Sequence, residues 1–217
     1  MNEKPTRWVL HCDCNSFYAS VEEVFQPELR LVPMAVAGDP EARHGIILAK
    51  NELAKKYKIQ TAETIWSAKK KCPELVLVPP RHKTYGEFCE RVNTIYEQYT
   101  PLLERCGIDE SFLDVTGCLH PFDEDVMKCA NEIRERVKRE IDITISIGVS
   151  WNKIFAKLGS DMKKPDAVTA ITRGNWKELV FPLPAGDLFL VGKKTAESLS
   201  QIGVRTLSLT DQIDRSA

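Results

Sequence analysis

The stretch Trp8-Val9-Leu10-His11-Cys12-Asp13-Cys14-Asn15-Ser16-Phe17-Tyr18-Ala19 joins an apolar run to a carboxylate at its end. Residues 8–12 have the continuous hydrophobicity of a buried strand, and Asn15 or Ser16 can cap a helix that runs to about Phe25. Asp13 therefore lies where the strand gives way to the helix, beside residues that must be buried. A charge in that position indicates a chemical role.

Two further carboxylates, Asp109 and Glu110, are adjacent in the sequence. The segments 102–108 and 111–115 are predicted strands, so the acids are expected at the tight connection between them. An acid pair at a turn is more often simply solvated, and that alternative stays open for this pair taken alone. Asp13 at the end of another strand strengthens the case for a shared site.

Converging carboxylates favour a metal site, because each pair at 4 Å repels by about 4 kcal/mol at an effective dielectric constant near 20. A divalent cation relieves this repulsion, and ligation by oxygen alone favours Mg²⁺ or Mn²⁺ over zinc. Asp13, Asp109 and Glu110 are therefore predicted to bind two such ions for phosphoryl transfer, with the backbone carbonyl of Cys14 as a further ligand.

The composition is that of a globular protein, with 217 residues and 43% hydrophobic content. No apolar run approaches the roughly 20 residues that span a bilayer, so we expect a soluble, cytoplasmic protein with no membrane partner. The seven cysteines are odd in number and form no C-x-x-C pair, which favours reduced thiols. The net charge of −1 does not indicate a nucleic-acid binder, although nine basic residues face only three acids between Lys50 and Lys83.

Strand and helix patterns alternate along the chain, which predicts an α+β fold with a mainly antiparallel sheet. Segment 26–81 interrupts the two halves of this body and is predicted to be an inserted subdomain. A charged helix over 123–140 is expected to begin at Asp123 as its cap. The final residues show no helix end, which suggests part of a longer protein. Three short helices are predicted near the C-terminus, over 174–180, 187–191 and 193–201.

Several motifs in order resemble one known family. The stretch Asp13–Glu22 resembles the first catalytic motif of Y-family DNA polymerases, the translesion enzymes of the DNA polymerase IV type. Gly107–Thr116 resembles the second catalytic motif, with its Asp-Glu pair. Gly148–Leu158 and Asp161–Pro165 resemble the following palm helix and its lysine. The resemblance covers about residues 8–205.

The resemblance implies three subdomains: a catalytic palm of residues 1–25 and 82–172, fingers of residues 26–81, and a partial all-helical thumb of residues 173–217 with a helix-hairpin-helix. The family's C-terminal little-finger domain is absent from these residues. The implied activity is that of a nucleotidyltransferase that adds deoxynucleotides to a primer on a DNA template, in translesion synthesis and repair after DNA damage. The implied partners are primer-template DNA, deoxynucleoside triphosphates and a sliding clamp bound through the missing part.

Individual roles also follow from the resemblance. Tyr18 would be the steric gate that clashes with a ribose 2′-hydroxyl, although it and Phe17 are also plausible core aromatics. Backbone amides at a helix start suit triphosphate oxygens, and a lysine contacts phosphate as a point charge. Nucleotide binding is thus assigned to Ser16, Phe17, Tyr18, Lys55 and Lys164, and DNA binding to Gly192, Lys193 and Lys194.

The fingers depart from the family pattern. Leu48, Asn51 and Ala54 stand where the family commonly has Thr-x-x-Tyr-x-x-Arg, and neither Lys50 nor Lys55 can reproduce a bidentate arginine contact. One alternative to the polymerase is therefore a non-catalytic, polymerase-like DNA-binding accessory protein with an impaired nucleotide grip. A second is a palm-type nucleotide cyclase, whose metal chemistry is similar but which would need neither a steric gate nor a DNA-binding hairpin.

Overall fold

The computed structural model of the chain describes residues 7–38 and 45–208, in which strands and helices alternate. The strands are β1 (Val9–Cys14), β2 (Met34–Ala37), β3 (Ile47–Lys50), β4 (Val76–Val78), β5 (Leu103–Arg105), β6 (Glu110–Asp114), β7 (Ile145–Ser150) and β8 (Val168–Ala170). The helices are α1 (Phe17–Phe25), α2 (Glu52–Lys56), α3 (Ile65–Lys71), α4 (His82–Glu97), α5 (Val126–Ile141), α6 (Lys153–Met162), α7 (Trp176–Val180) and α8 (Lys193–Gln201).

Five strands form the larger sheet, in the order β5-β6-β1-β7-β8. Strand β1 lies at its centre and is antiparallel to both β6 and β7, whereas β7 and β8 are parallel. Every residue of β1 is buried, which explains why its sequence lacks the polar alternation of a half-exposed strand. The prediction of an α+β fold with a mainly antiparallel sheet is confirmed.

Helices α4 and α5 contribute one buried stripe each to the core that includes this sheet. The prediction that α5 begins at Asp123 is wrong. Asp125 is the cap, and its Oδ1 accepts hydrogen bonds from the backbone N–H groups of Met127 at 2.8 Å and Lys128 at 3.2 Å. Asp123 instead has a left-handed backbone and binds the Lys128 ammonium. Two candidate acids in one turn gave the sequence no means to choose between them.

Helix α6 lies directly against β7, and this close approach requires glycine. A Cβ at Gly148 would fall 1.8 Å from the backbone oxygen of Ala156, and one at Gly159 would lie 3.2 Å from the Cα of Gly148. Because the helix backbone sits on the strand, the side chains of Lys157 and Ser160 reach across to β1.

The smaller sheet has the order β3-β2-β4 and lies in the predicted insertion. Its apolar core is separate from that of the larger sheet and comprises Ala35, Ala37, Ile47, Ala54, Ile59, Ala68, Cys72 and Leu75. The division into palm, fingers and thumb stays a prediction. Its segments 1–6, 39–44 and 209–217 lie outside the described residues.

Near the C-terminus, α7 and α8 share a small apolar cluster with α6. The predicted helix over 187–191 is wrong: a single 3₁₀ turn, Ala185–Asp187, follows Pro184, and Leu190 adopts a left-handed backbone with φ of 70°. A left-handed residue cannot continue a right-handed helix. Within residues 7–38 and 45–208, no helix has the length and hydrophobicity that a bilayer crossing requires.

Candidate active site

The three predicted carboxylates meet at one end of the larger sheet. Asp13 of β1 is paired with Glu110 of β6, and the backbone N–H of Cys14 donates to the backbone carbonyl oxygen of Asp109 at 2.9 Å. The prediction that both acids of the pair lie in a connection is wrong for Glu110, which is the first residue of β6. Only Asp109 precedes the strand. Strand pairing, and not a shared turn, therefore sets the spacing between Asp13 and Glu110.

Two lysines lie among these carboxylates. Lys164 Nζ is 2.7 Å from Asp13 Oδ2 and 2.8 Å from Asp161 Oδ1, and its assignment to nucleotide binding stays a prediction. Lys157 Nζ is 3.0 Å from Asp13 Oδ2 and 2.7 Å from Glu110 Oε1. Lys157 has no role among the assignments made from the sequence. Its spacing of one helical turn from Asp161 was the available signal, but only the packing of α6 on Gly148 reveals where it points.

Burial and mutual repulsion perturb the acids. Burial raises the pKa of Asp13, against the opposing effect of Lys164 and Lys157. Burial, Asp13 and Glu110 together raise the pKa of Asp109. Burial lowers the pKa of Lys164, but Asp13 and Asp161 outweigh it and raise the pKa on balance. Two ammonium groups are thus shared by three carboxylates, Asp13, Glu110 and Asp161. Asp109 adds a fourth negative charge beside Asp13 and Glu110, so the site retains negative charge that a cation can neutralise.

A cleft of about 460 Å³ separates the carboxylates from the smaller sheet. The helix start at its floor is unusual, since Ser16 adopts a left-handed backbone with φ of 50° and its hydroxyl donates to Glu52 Oε1. The lining residues are Asp13, Cys14, Ser16, Phe17, Tyr18, Leu48, Ala49, Lys50, Lys55, Thr61, Ile108, Asp109, Glu110 and Lys164. The cleft therefore gathers all three acids with all five residues predicted to bind nucleotide.

The Tyr18 ring is fixed from behind. It stacks on the Tyr85 ring with a centroid distance of 4.2 Å and an interplanar angle of 14°. The Tyr85 hydroxyl donates to the buried Glu22 at 2.6 Å, and Arg81 also binds that carboxylate. Phe17, by contrast, is buried in the core. Tyr18 thus presents a positioned ring to the cleft, as a steric gate requires.

On the fingers side of the cleft, Asn51 and Ala54 do not lie where nucleotide contacts are expected. Asn51 and Ala54 are buried and do not line the cleft, so neither replaces a nucleotide contact. Leu48, Lys50 and Lys55 do line it. The Asn51 side chain instead fastens α1, β2 and α2 together: it accepts from the backbone of Met34 and Ala54, and donates to Leu29, Val32 and Glu23.

Gly192, Lys193 and Lys194 begin α8, where Gly192 precedes the first turn without a side-chain cap. None of them lines the cleft. Their assignment to DNA binding stays a prediction.

Known proteins are similar to this chain over the residues that form the site. The impB/mucB/samB family matches residues 12–161. A curated relative named DNA polymerase IV, from Acetivibrio thermocellus, is 54% identical over 201 residues, covering 93% of this chain and 50% of the relative. DNA polymerase IV 1 of Bacillus subtilis is 39% identical and is covered over 48% of its length. The chain spans about half the length of these curated relatives.

Solved structures give the same result. The chain is similar to a crystal structure of DinB from Sulfolobus solfataricus, with a TM-score of 0.83, 26% identity and coverage of 92% of this chain and 58% of that one. It is also similar to an insertion ternary complex of Dbh DNA polymerase, with a TM-score of 0.84, 25% identity and coverage of 92% and 59%. The resemblance noted in the motifs therefore extends to the whole fold described.

Proposed function

The chain belongs to the impB/mucB/samB family, and we propose that it is the catalytic part of a template-directed DNA polymerase engaged in translesion synthesis. It would add deoxynucleotides to a primer by two-metal phosphoryl transfer. The observation that carries this proposal is the convergence of Asp13, Asp109 and Glu110 at the floor of a cleft. The relatives named DNA polymerase IV support it.

The carboxylates fit two Mg²⁺ ions, and Mn²⁺ would be accepted. The donors are oxygens only, and burial raises the pKa of Asp13 and of Asp109, so a bound cation would stabilise the charged form of both carboxylates. Asp13, Asp109, Glu110 and the Cys14 carbonyl would hold the ions. When bound, such ions supply activation of the attacking hydroxyl and neutralise charge on the triphosphate.

Bound cations would replace the lysines as partners of the carboxylates, and the lysines could then contact the substrate. Lys164 lines the cleft and is paired with Asp13, so a cation at the carboxylates would free its ammonium for the β- and γ-phosphates. Lys50 and Lys55 line the opposite wall and would add positive charge there. The start of α1 offers backbone amides to phosphate oxygens.

Tyr18 would select deoxyribose. Its ring cannot withdraw freely from a 2′-hydroxyl, because Tyr85 stacks behind it and is itself hydrogen-bonded to Glu22. Exclusion by a positioned ring requires no new contact to the correct sugar, only the clash with the wrong one.

The accessory-protein alternative rested on Leu48, Asn51 and Ala54 as lost nucleotide contacts. Two of these residues are buried away from the cleft and carry no information on nucleotide affinity. Lys50, Lys55 and Thr61 supply polar groups on the same wall. We therefore favour the polymerase.

We infer the subdomains and the partners from the family resemblance. Residues 1–25 and 82–172 would form the palm, 26–81 the fingers, and 173–217 part of the thumb, with primer-template DNA bound across them. Gly192, Lys193 and Lys194 would contact DNA backbone from the start of α8. A sliding clamp would dock outside these residues, and the protein would act in the cytoplasm.

Primer extension by the full-length protein tests the proposal, with Mg²⁺, primer-template and deoxynucleotides. We expect Glu110→Gln to abolish extension and Asp142→Asn, an exposed acid paired with Arg30, to leave it intact. Equal extension by wild type and Glu110→Gln would refute the mechanism. A cyclic product from triphosphate alone, without primer, would instead indicate the cyclase.

A further inference from the structure

Beside the carboxylates, one buried histidine presents a nitrogen with no use in the proposed reaction. His11 lies two residues before Asp13 on β1, hence on the same face of the sheet, and its side chain is fully buried. Its Nδ1 is 2.8 Å from the Ser160 hydroxyl, which itself donates to the backbone oxygen of Lys157 at 2.7 Å. Because a hydroxyl has only one proton, Ser160 accepts here and His11 Nδ1 donates.

The other ring nitrogen, Nε2, has no hydrogen-bond partner among the described residues. It points at Glu110 Oε2 from 3.6 Å, which is too long for a hydrogen bond. Cys106 completes the surroundings: its Sγ, a ring nitrogen of His11 and a carboxylate oxygen of Glu110 all lie within 4.8 Å of one another, and Nε2 is the ring nitrogen that faces Glu110. A ring nitrogen, a thiol and a carboxylate thus converge on one point beside the carboxylate site.

The backbone holds this arrangement together. The backbone N–H groups of Cys106 and Gly107 both donate to the backbone carbonyl oxygen of Glu110, at 3.1 and 3.3 Å. The turn between β5 and β6 therefore fixes the backbone of Cys106 beside Glu110. The two oxygens of Glu110 point in different directions: Oε1 contacts Lys157, and Oε2 faces His11. The Glu110 carboxylate therefore faces two neighbouring sites, one through each oxygen.

We propose that His11 Nε2, Cys106 Sγ and Glu110 Oε2 bind a borderline-soft transition metal ion, Zn²⁺ before others, at a site distinct from the all-oxygen Mg²⁺ site. Nitrogen, sulfur and oxygen ligands select such ions, whereas Mg²⁺ takes oxygen alone. The Nδ1–H donated to Ser160 leaves Nε2 as the ligating atom, in the arrangement that metal-bound histidines adopt. Water would take the fourth position.

The required adjustment is small. Zinc–ligand distances of about 2.0–2.3 Å place tetrahedral ligand atoms about 3.5 Å apart. Because the present separations are at most 4.8 Å, none has to close by more than about 1.3 Å. Cys106 is exposed, so its side chain has room for that movement while its backbone hydrogen bond to Glu110 is kept. The positive charge of Lys157 does not oppose the ion strongly, because Asp13 and Asp161 also neutralise it.

Occupation of this site would hold Glu110 by Oε2 and restrain it from serving the catalytic ions. Zn²⁺ would then slow nucleotide addition in the full-length protein even with Mg²⁺ in excess. This consequence rests on the proposed function, whereas the binding of Zn²⁺ does not.

The test is equilibrium binding of Zn²⁺ to the chain without nucleotide or DNA, by competition with a chromogenic chelator. Co²⁺ serves as a spectroscopic probe, since a thiolate ligand gives a sulfur-to-cobalt charge-transfer band. The variants are Cys106→Ser and a matched control, Cys118→Ser, which removes another thiol that is not fully buried. His11→Phe is a further variant that retains an aromatic ring against Phe112.

We expect one Zn²⁺ per chain in wild type and in Cys118→Ser. Loss of outer hydrogen-bond partners alone costs a metal site about 10–100-fold in affinity, so Cys106→Ser should lose at least about tenfold and the charge-transfer band. Equal Zn²⁺ affinity in wild type and Cys106→Ser, or no thiolate band with Co²⁺, would overturn the proposal. If His11→Phe fails to fold, these Cys106 outcomes still decide. Mg²⁺-dependent primer extension is measured separately, so either idea can fail while the other stands.

Discussion

The buried ion pair behind the steric gate offers the sharpest test of how this fold is held. Glu22 is fully buried, and its carboxylate accepts from Arg81 Nε at 3.1 Å and Nη2 at 2.5 Å and from the Tyr85 hydroxyl at 2.6 Å. Arg81→Ala would leave the buried carboxylate with only the Tyr85 hydrogen bond. Breaking a buried pair by removing one partner costs about 3–5 kcal/mol.

The expected loss lies below that range, because the Arg81 side chain is 38% exposed and water can enter its place. Allowing for this access and the remaining Tyr85 hydrogen bond, we expect Arg81→Ala to lose about 2–3 kcal/mol of unfolding free energy. For a chain of this size, that corresponds to a fall in Tm of about 4–12 °C. Thermal unfolding followed by circular dichroism measures it.

The matched control is Arg105→Ala. Arg105 is 39% exposed, nearly the same as Arg81, but its partner Glu90 is 66% exposed, and surface pairs contribute little. Arg105→Ala should therefore shift Tm far less than Arg81→Ala. The double variant Arg81→Ala with Glu22→Gln should recover part of the loss, since it removes the stranded charge. Equal shifts for both arginine variants, or no recovery in the double variant, would refute the reasoning.

Three further outcomes are expected. Burial, Asp13 and Glu110 raise the folded-state pKa of Asp109 above its ordinary 3.8, so the folded chain binds protons more tightly than the unfolded chain and pays a stability cost at neutral pH. Asp109→Asn should thus raise the Tm of the metal-free chain at pH 7, with a difference that vanishes below about pH 4; a constant difference would contradict this. Gly148→Ala should destabilise by at least about 3 kcal/mol in a denaturant titration, since its Cβ would meet the Ala156 oxygen at 1.8 Å; near-neutral behaviour would show that α6 can move away. Tyr18→Ala in the full-length protein should raise ribonucleotide incorporation about tenfold or more without abolishing deoxynucleotide incorporation; unchanged sugar discrimination would remove the gate role.

The sequence predicted the sheet and the meeting of the acids because both depend on local patterns. A continuous apolar run identified β1, and the acids at its end and at the start of β6 can meet only if the two strands are neighbours. The helix boundary at Asp123 failed because Asp125 offers the same cap two residues later. The helix over 187–191 failed because a left-handed Leu190 leaves no hydrophobicity signal.

The direction in which side chains point was the feature of the site that the sequence predicted least well. Asn51 was interpreted as a position facing nucleotide. It instead caps helix α2, and its side chain points into the junction of α1, β2 and α2, where every polar atom of the side chain is hydrogen-bonded. Lys157 was missed for the complementary reason. Its position over Asp13 depends on the contact between Gly148 and α6, and the Cys106–His11 pairing depends on the turn before β6. Such contacts join residues distant in sequence, so no local pattern reveals them.

The central claim is that Asp13, Asp109 and Glu110 hold the divalent ions of a nucleotidyl transfer reaction. The most direct measurement counts Mn²⁺ by electron paramagnetic resonance in the full-length protein with primer-template and a non-hydrolysable deoxynucleotide. The account predicts two Mn²⁺ per chain in wild type, with at least one lost in Asp109→Asn. Two Mn²⁺ retained in Asp109→Asn with wild-type affinity would contradict it.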